Sequence, residues 1–225
     1  SLKIINFVFS KHLFIYRVPV IQFYILVDTF FHLTEFQLKK RRVIIFLAYA
    51  WLNILSGQQV IINDSFDDWA GNVSAFSDKA GDGNPSRKID FTAVKVSNDE
   101  RFLYVYFDIS TEINLQENNS VSIFIDIDNN ISTGIFKSGI GADMVYYFGP
   151  RSGKVYRPNG TYSIFHNDIR LVTAPTVTGS RFEIRILRQF VSDAGQITMG
   201  PVIRLLMSDE DVAGDKAPDA SGGYT

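Results

Sequence analysis

Beyond residue 57, apolar and polar positions alternate with the two-residue period of a strand, and almost nowhere with the period of a helix. In "SVSIFIDID" (120–128), Val121, Ile123, Ile125 and Ile127 point one way, and Ser122, Phe124, Asp126 and Asp128 point the other. The stretch "IDFTAVKVSNDERFLYVYFDIS" (89–110) predicts two strands around a turn at "SNDER". In its second half Leu103, Val105 and Phe107 share one face, while Phe102, Tyr104 and Tyr106 share the other. Both faces are apolar or aromatic, so this strand is expected to be central and covered on both sides.

Further strands are expected at 58–64, 143–149, 154–157, 161–166, 168–174, 181–187 and within 197–209, with "PNG" (158–160) as a turn. Residues 65–88 read as a long polar loop, and 188–195 as one short helix. Many short strands at close spacing predict an all-β domain, an antiparallel sandwich or barrel.

The first 57 residues follow another pattern. Four cations, Lys39 to Arg42, precede an apolar run from Val43 to Leu55, and Ser56 and Gly57 follow. That is the layout of a secretory signal peptide over 38–57, with cleavage expected near Gly57. Residues 1–37 are apolar but broken by Lys11, Arg17 and Asp28, so they hold no clean membrane span. Ser1 is not an initiator and the first methionine is Met144, so this stretch is expected to be upstream or non-native sequence. The domain proper is therefore placed at 58–225, secreted or on the cell surface, with further domains of the same polypeptide expected beyond "SGGYT".

Charge sharpens that division. Seven of the 22 basic residues but only two of the 24 acidic ones fall in 1–57, leaving 58–225 with a net charge of −7. Such a domain suits divalent cations and is a poor partner for nucleic acid. There is no cysteine, so neither a disulfide framework nor a thiolate zinc site can form. No G-x-S-x-G or HExxH motif occurs, and 58–225 holds one histidine, His166, so the domain is expected to be non-catalytic.

The chemistry concentrates in "DIDNNISTGIFKSGIGADMVYY" (126–147). Asp126 and Asp128 lie on one strand face roughly 7 Å apart, where they repel unless one protonates or a cation intervenes. The following turn supplies the Asn129 and Asn130 amide oxygens and the Ser132 and Thr133 hydroxyls. A hairpin return would bring Asp143 back beside the pair. Hard oxygen donors of this kind suit Ca²⁺. An EF-hand is excluded, because its glycine and glutamate positions are occupied by Ile131 and Lys137. The competing reading is a solvated hairpin tip made of Asx turns.

The order "NDSFDDW" (63–69), "IDFTAVKVSNDERFLYVYFDI", "IFIDIDNNISTGIFKSGIGADMVYY" and "RFEIRIL" resembles the DOMON-like domains related to the family 9 carbohydrate-binding modules of secreted bacterial proteins. The resemblance spans about residues 60–225 and implies a jelly-roll sandwich, structural Ca²⁺ held by Asp126, Asp128, Asn130 and Asp143, and a glycan or polysaccharide ligand. It also matches Asp90 to a recurrent acid, as a ligand or a loop-capping group. Sugar binding in those modules uses two tryptophans; 58–225 has one, Trp69, so Tyr146 and Tyr147 are expected to supply a second aromatic surface, with Tyr156 and Tyr162 as alternates. The competing role for Trp69 is a buried cap beside Phe66. Some DOMON relatives bind haem, for which His166 and Met144, Met199 or Met207 would have to serve as axial ligands. A structural or adhesive sandwich without a sugar ligand is the other alternative. The loop 209–219 is a second acidic patch, expected to be solvated.

Overall fold

The computed structural model describes residues 60–71, 75–79, 81 and 89–225. The signal peptide expected at 38–57 and the segment 1–37 lie outside the described residues. Residues 58–225 form one compact unit. Among the described residues no helix is long and apolar enough to cross a membrane.

The unit is an antiparallel β-sandwich. Its strands are β1 (Ala75–Ser77), β2 (Phe91–Asn98), β3 (Phe102–Ile113), β4 (Val121–Asp126), β5 (Ile135–Lys137), β6 (Ile140–Ala142), β7 (Met144–Tyr147), β8 (Ser152–Arg157), β9 (Gly160–Phe165), β10 (Val172–Ala174), β11 (Gly179–Leu187), β12 (Gln189–Ser192), β13 (Gly195–Thr198), β14 (Arg204–Asp209) and β15 (Lys216–Ala217). One sheet has the order β1-β2-β3-β11-β10, the other β15-β14-β4-β7-β8-β9, and β5-β6 and β12-β13 are separate hairpins. The chain crosses between the sheets after β3, after β9 and again before β14, and these crossings put loops at the ends of the sandwich.

Alternation decides what fills the interior. Leu103, Val105 and Phe107 of β3 and Phe182, Ile184 and Ile186 of β11 meet Ile123 and Ile125 of β4 and Met144 and Tyr146 of β7 in one buried cluster. Phe107 sits at its centre, 5.4 Å from the Phe182 ring, and about equally far from Phe91 and Phe148. Strand β3 is central, as its two apolar faces predict. Its outer face is covered by Val60 and Trp69, which pack on Tyr104 and Tyr106.

Three expectations are corrected. Among the described residues, 60–64 form no strand; Val60 instead packs on the outer face of β3. The polar loop 65–88 contains a 3-10 turn, Phe66–Trp69, and the edge strand β1. Residues 188–195 form no helix. Phe190 faces Ile197 across the β12–β13 hairpin and both are buried, so a two-residue strand period satisfies an apolar pair that a helix would separate.

Candidate functional site

Strand β4 ends at Asp126, whose side chain lies on the outer face of its sheet beneath the 128–134 turn and the β5–β6 hairpin. Two glycines let these pieces approach. A Cβ at Gly141 would lie 2.4 Å from the Asn130 carbonyl oxygen and 2.5 Å from that of Thr133. One at Gly134, whose φ is +64°, would lie 2.2 Å from the Ala142 carbonyl oxygen. Without side chains there, β6 lies against the turn and delivers Asp143 to the start of β7. Asp143 is held on both sides: its amide donates to Ile125 O, and its carbonyl accepts from the Tyr156 amide.

The result is a trio of carboxylates. Asp126, Asp128 and Asp143 each offer an oxygen, and these atoms lie within 4.8 Å of one another. Asp126 has no exposed surface. Its Oδ1 accepts from the Asn130 amide at 3.0 Å, whereas its Oδ2 is buried with no hydrogen-bond partner. Asp128 accepts from the Asn130 amide and from the Thr133 hydroxyl. Asp143 Oδ2 accepts from the Ile127 amide. Burial pushes the Asp143 carboxyl up to about 6, with the charges of Asp128 and Asp126 acting in the same direction.

Asn130 takes part through its main chain. Its side-chain oxygen accepts from the Ser132 amide at 3.0 Å and so closes an Asx turn. Asn129, at φ 55°, is turned outward to accept from Arg204 Nε at 2.7 Å. Three carboxylates converge, and the asparagines shape the loop around them. All-oxygen donors with one buried orphan oxygen fit a hard divalent cation.

The aromatic candidates are placed differently from their expectation. Trp69 is 1% exposed and donates its indole N–H to Glu183 Oε2, so it offers no face to a sugar. It caps β3 beside Phe66, whose ring lies 5.5 Å from that of Tyr106. Tyr146 is likewise buried, in the cluster between the sheets. Tyr147 is half-buried on the outer face of the six-stranded sheet, against Phe124 and Val145, and Tyr156 joins the same group. Register puts Tyr147 opposite Ser152, and Ser152 opposite the exposed Phe165. Neighbouring strand positions on that face are Lys154, Thr161 and Ser163.

Asp90 is a loop cap: its carboxylate accepts from the Gly81 amide at 3.0 Å. The 209–219 loop is more than a solvated patch, because Asp209 and Asp215 are both buried. Asp215 Oδ2 accepts from the Phe91 amide at 2.6 Å, and Asp209 Oδ1 accepts from Ser120 Oγ and the Asp211 amide. Asp215 also lies with Asp78 and Asp219 in a second carboxylate trio. Burial and the neighbouring Asp219 push Asp78 up to about 7. Sequence reasoning missed this group because Asp78 and Asp219 are 141 positions apart in the chain, and only the fold brings them together.

Met144, Met199 and Met207 are all buried in the core cluster. His166 follows β9 and lines a surface cleft in which no methionine takes part. Compared with known proteins, the chain matches no family model, no curated sequence and no solved structure. The family resemblance therefore rests on the quoted motifs alone.

Proposed function

We propose that this domain is a non-catalytic binding module, braced by Ca²⁺, that presents the outer face of its six-stranded sheet to a glycan. The observation that carries the reading is the cross-strand row Tyr147–Ser152–Phe165, with Tyr156 on the same face four residues further along β8. An aromatic row bordered by hydroxyls can stack on sugar C–H faces and hydrogen-bond to sugar hydroxyls. Tyr156, whose amide donates to the Asp143 carbonyl, lies at the end of this face that the ion would brace. Asp126, Asp128 and Asp143 would hold that ion. When bound, it neutralises their mutual repulsion and ties β4 to the start of β7. The signal-peptide layout of 38–57 supports a secreted or surface location, as an accessory domain of a larger extracellular protein.

Retention on insoluble polysaccharides, together with a glycan array, tests the proposal. Phe165→Ala and Tyr147→Ala should each weaken retention about tenfold while the fold persists, the loss expected for one stacking contact. Failure of every polysaccharide to retain the Ca²⁺-loaded protein would leave a structural or adhesive sandwich in its place.

A further inference from the structure

The end of the sandwich nearest the aromatic row carries a cleft of about 210 Å³. It is built from three connections. Leu115 and Gln116 come from the β3–β4 crossing, Phe148 and Arg151 from the β7–β8 turn, and His166 and Leu171 from the β9–β10 crossing. Its volume is below the roughly 300–1,000 Å³ of sites for drug-sized ligands and suits a single sugar ring.

The charge of the lining is one-sided. Arg151 and His166 bring donors, Gln116 donates to the Thr173 hydroxyl at 3.3 Å, and no acidic side chain lines the cleft among the described residues. Arg151 is exposed and forms no ion pair among the described residues. Its backbone sits at φ 55°, a conformation a non-glycine residue adopts only where the surrounding turn holds it. Leu115 and Phe148, both buried, supply an apolar floor.

The independent observation is Tyr146. Its ring packs edge-on against Phe148 and it is 1% exposed, yet its hydroxyl is buried with no hydrogen-bond partner. An unmade hydrogen bond in such a place is costly, and a residue of no polar use there would be replaced by phenylalanine at no loss of packing. Burial pushes this hydroxyl up to about 12, so at neutral pH it is a donor.

The cleft and the aromatic row are built from adjacent residues at the same end of β8 and β9. Arg151 precedes Ser152, and His166 follows Phe165, the two residues that pair across the row. Successive residues face opposite sides of the sheet, so the row and the cleft flank the same strand ends, and a chain bound to both must pass around that edge.

From this placement we infer that the cleft is a subsite for a uronic acid: a polyhydroxylated ring whose carboxylate is met by Arg151 and His166, with the Tyr146 hydroxyl donating to the ligand. The inference rests on the glycan reading and narrows it to acidic polysaccharides. A guanidinium meets a carboxylate with paired, charge-assisted hydrogen bonds, which a neutral sugar cannot return.

Titration of the full chain with glucuronate and galacturonate, followed by the His166 imidazole resonance and by calorimetry, tests it. The resonance is assigned by its loss in His166→Gln. Both uronates, or one of them, should shift that resonance, and methyl glucoside and acetate should bind at least about tenfold more weakly. Arg151→Ala and Tyr146→Phe should each lower uronate affinity about tenfold. Tyr146→Phe should leave the unliganded melting temperature unchanged or raised, since it removes an unpartnered hydroxyl; this separates a binding role from a structural one. Equal binding of neutral and acidic sugars, acetate binding as tightly as the uronates, or an unmoved His166 resonance would overturn the subsite. Uronate binding in the cleft without retention on any polysaccharide would uphold the subsite and remove the sheet-face reading instead.

Discussion

The indole Nε1 of Trp69 donates a 3.0 Å hydrogen bond to Oε2 of Glu183, a carboxylate with no exposed surface. The other oxygen of Glu183 accepts from the amides of Asn63 and Asp64 at 2.7 and 2.8 Å. One buried acid thus fixes the chain segment that covers the outer face of β3. Glu183→Ala would orphan three donors at once and should destabilise the domain by about 3 kcal/mol or more, whereas Trp69→Phe, losing one bond, should cost about 1–3 kcal/mol. Urea unfolding checks both. Equal stability of the two variants and the parent would show that the clamp contributes nothing.

Addition of Ca²⁺ should raise the thermal midpoint, and EGTA should lower it. At one hundred times Kd, binding to the folded state alone contributes about 2.7 kcal/mol, or roughly 5–10 °C for a domain of this size. Asp126→Asn should abolish most of the shift. A scan that is the same with ion and with chelator would exclude an occupied site at the trio.

Without an ion, the raised carboxyls make stability fall as pH rises. Asp143 moves from 3.8 to about 6 and Asp78 from 3.8 to about 7, chiefly through burial. A carboxyl whose folded value exceeds its unfolded one favours the fold fully below the unfolded value, and that contribution is lost as pH climbs through the folded one. In EGTA the domain should therefore be less stable at about pH 8 than at about pH 5 as far as these two groups decide it. Asp143→Asn should flatten the part of the decline between about pH 4 and 6, and Ca²⁺ at the higher pH should offset it. A chelated Asp143→Asn protein with the parent's unaltered pH profile would contradict the assignment.

Gly141 is required by proximity. The Cβ of Gly141→Ala would intrude to 2.4 Å from the Asn130 carbonyl oxygen, so the loop must lift away from β6. We expect a loss of about 1–3 kcal/mol and weaker ion binding, read by denaturation and by calorimetry with Ca²⁺. By contrast Phe136→Ser, at a side chain 72% exposed, should change stability by no more than about 0.5 kcal/mol.

Much of the framework was legible because a buried strand writes its period into the sequence. The faces of 102–107 predicted a central strand, and "GxGAD" predicted the return of Asp143 toward Asp126. The largest gap depends on a partner distant in sequence. Glu183 sits among Arg181 and Arg185 on the polar side of an alternating strand, which resembles a solvated face until Trp69 is placed upon it. Phe190 and Ile197, seven positions apart around "SDAG", were the available sign of the β12–β13 hairpin. Sequence gives the residue type of Asn130 without its rotamer, and only the fold shows its side-chain oxygen accepting the Ser132 N–H.

The Asn63–Glu183 bond joins residues 120 positions apart. A ribosome therefore releases the cover well before it makes the acid that anchors it, so the Trp69 indole and the Asn63 and Asp64 amides lack their acceptor until ten strands and part of β11 are synthesised. Long-range closure of this kind slows folding and leaves apolar surface exposed in the interval. Nascent chains stopped short of residue 183 should consequently be the aggregation-prone species, whereas chains a few dozen residues longer can bury their first aromatic groups.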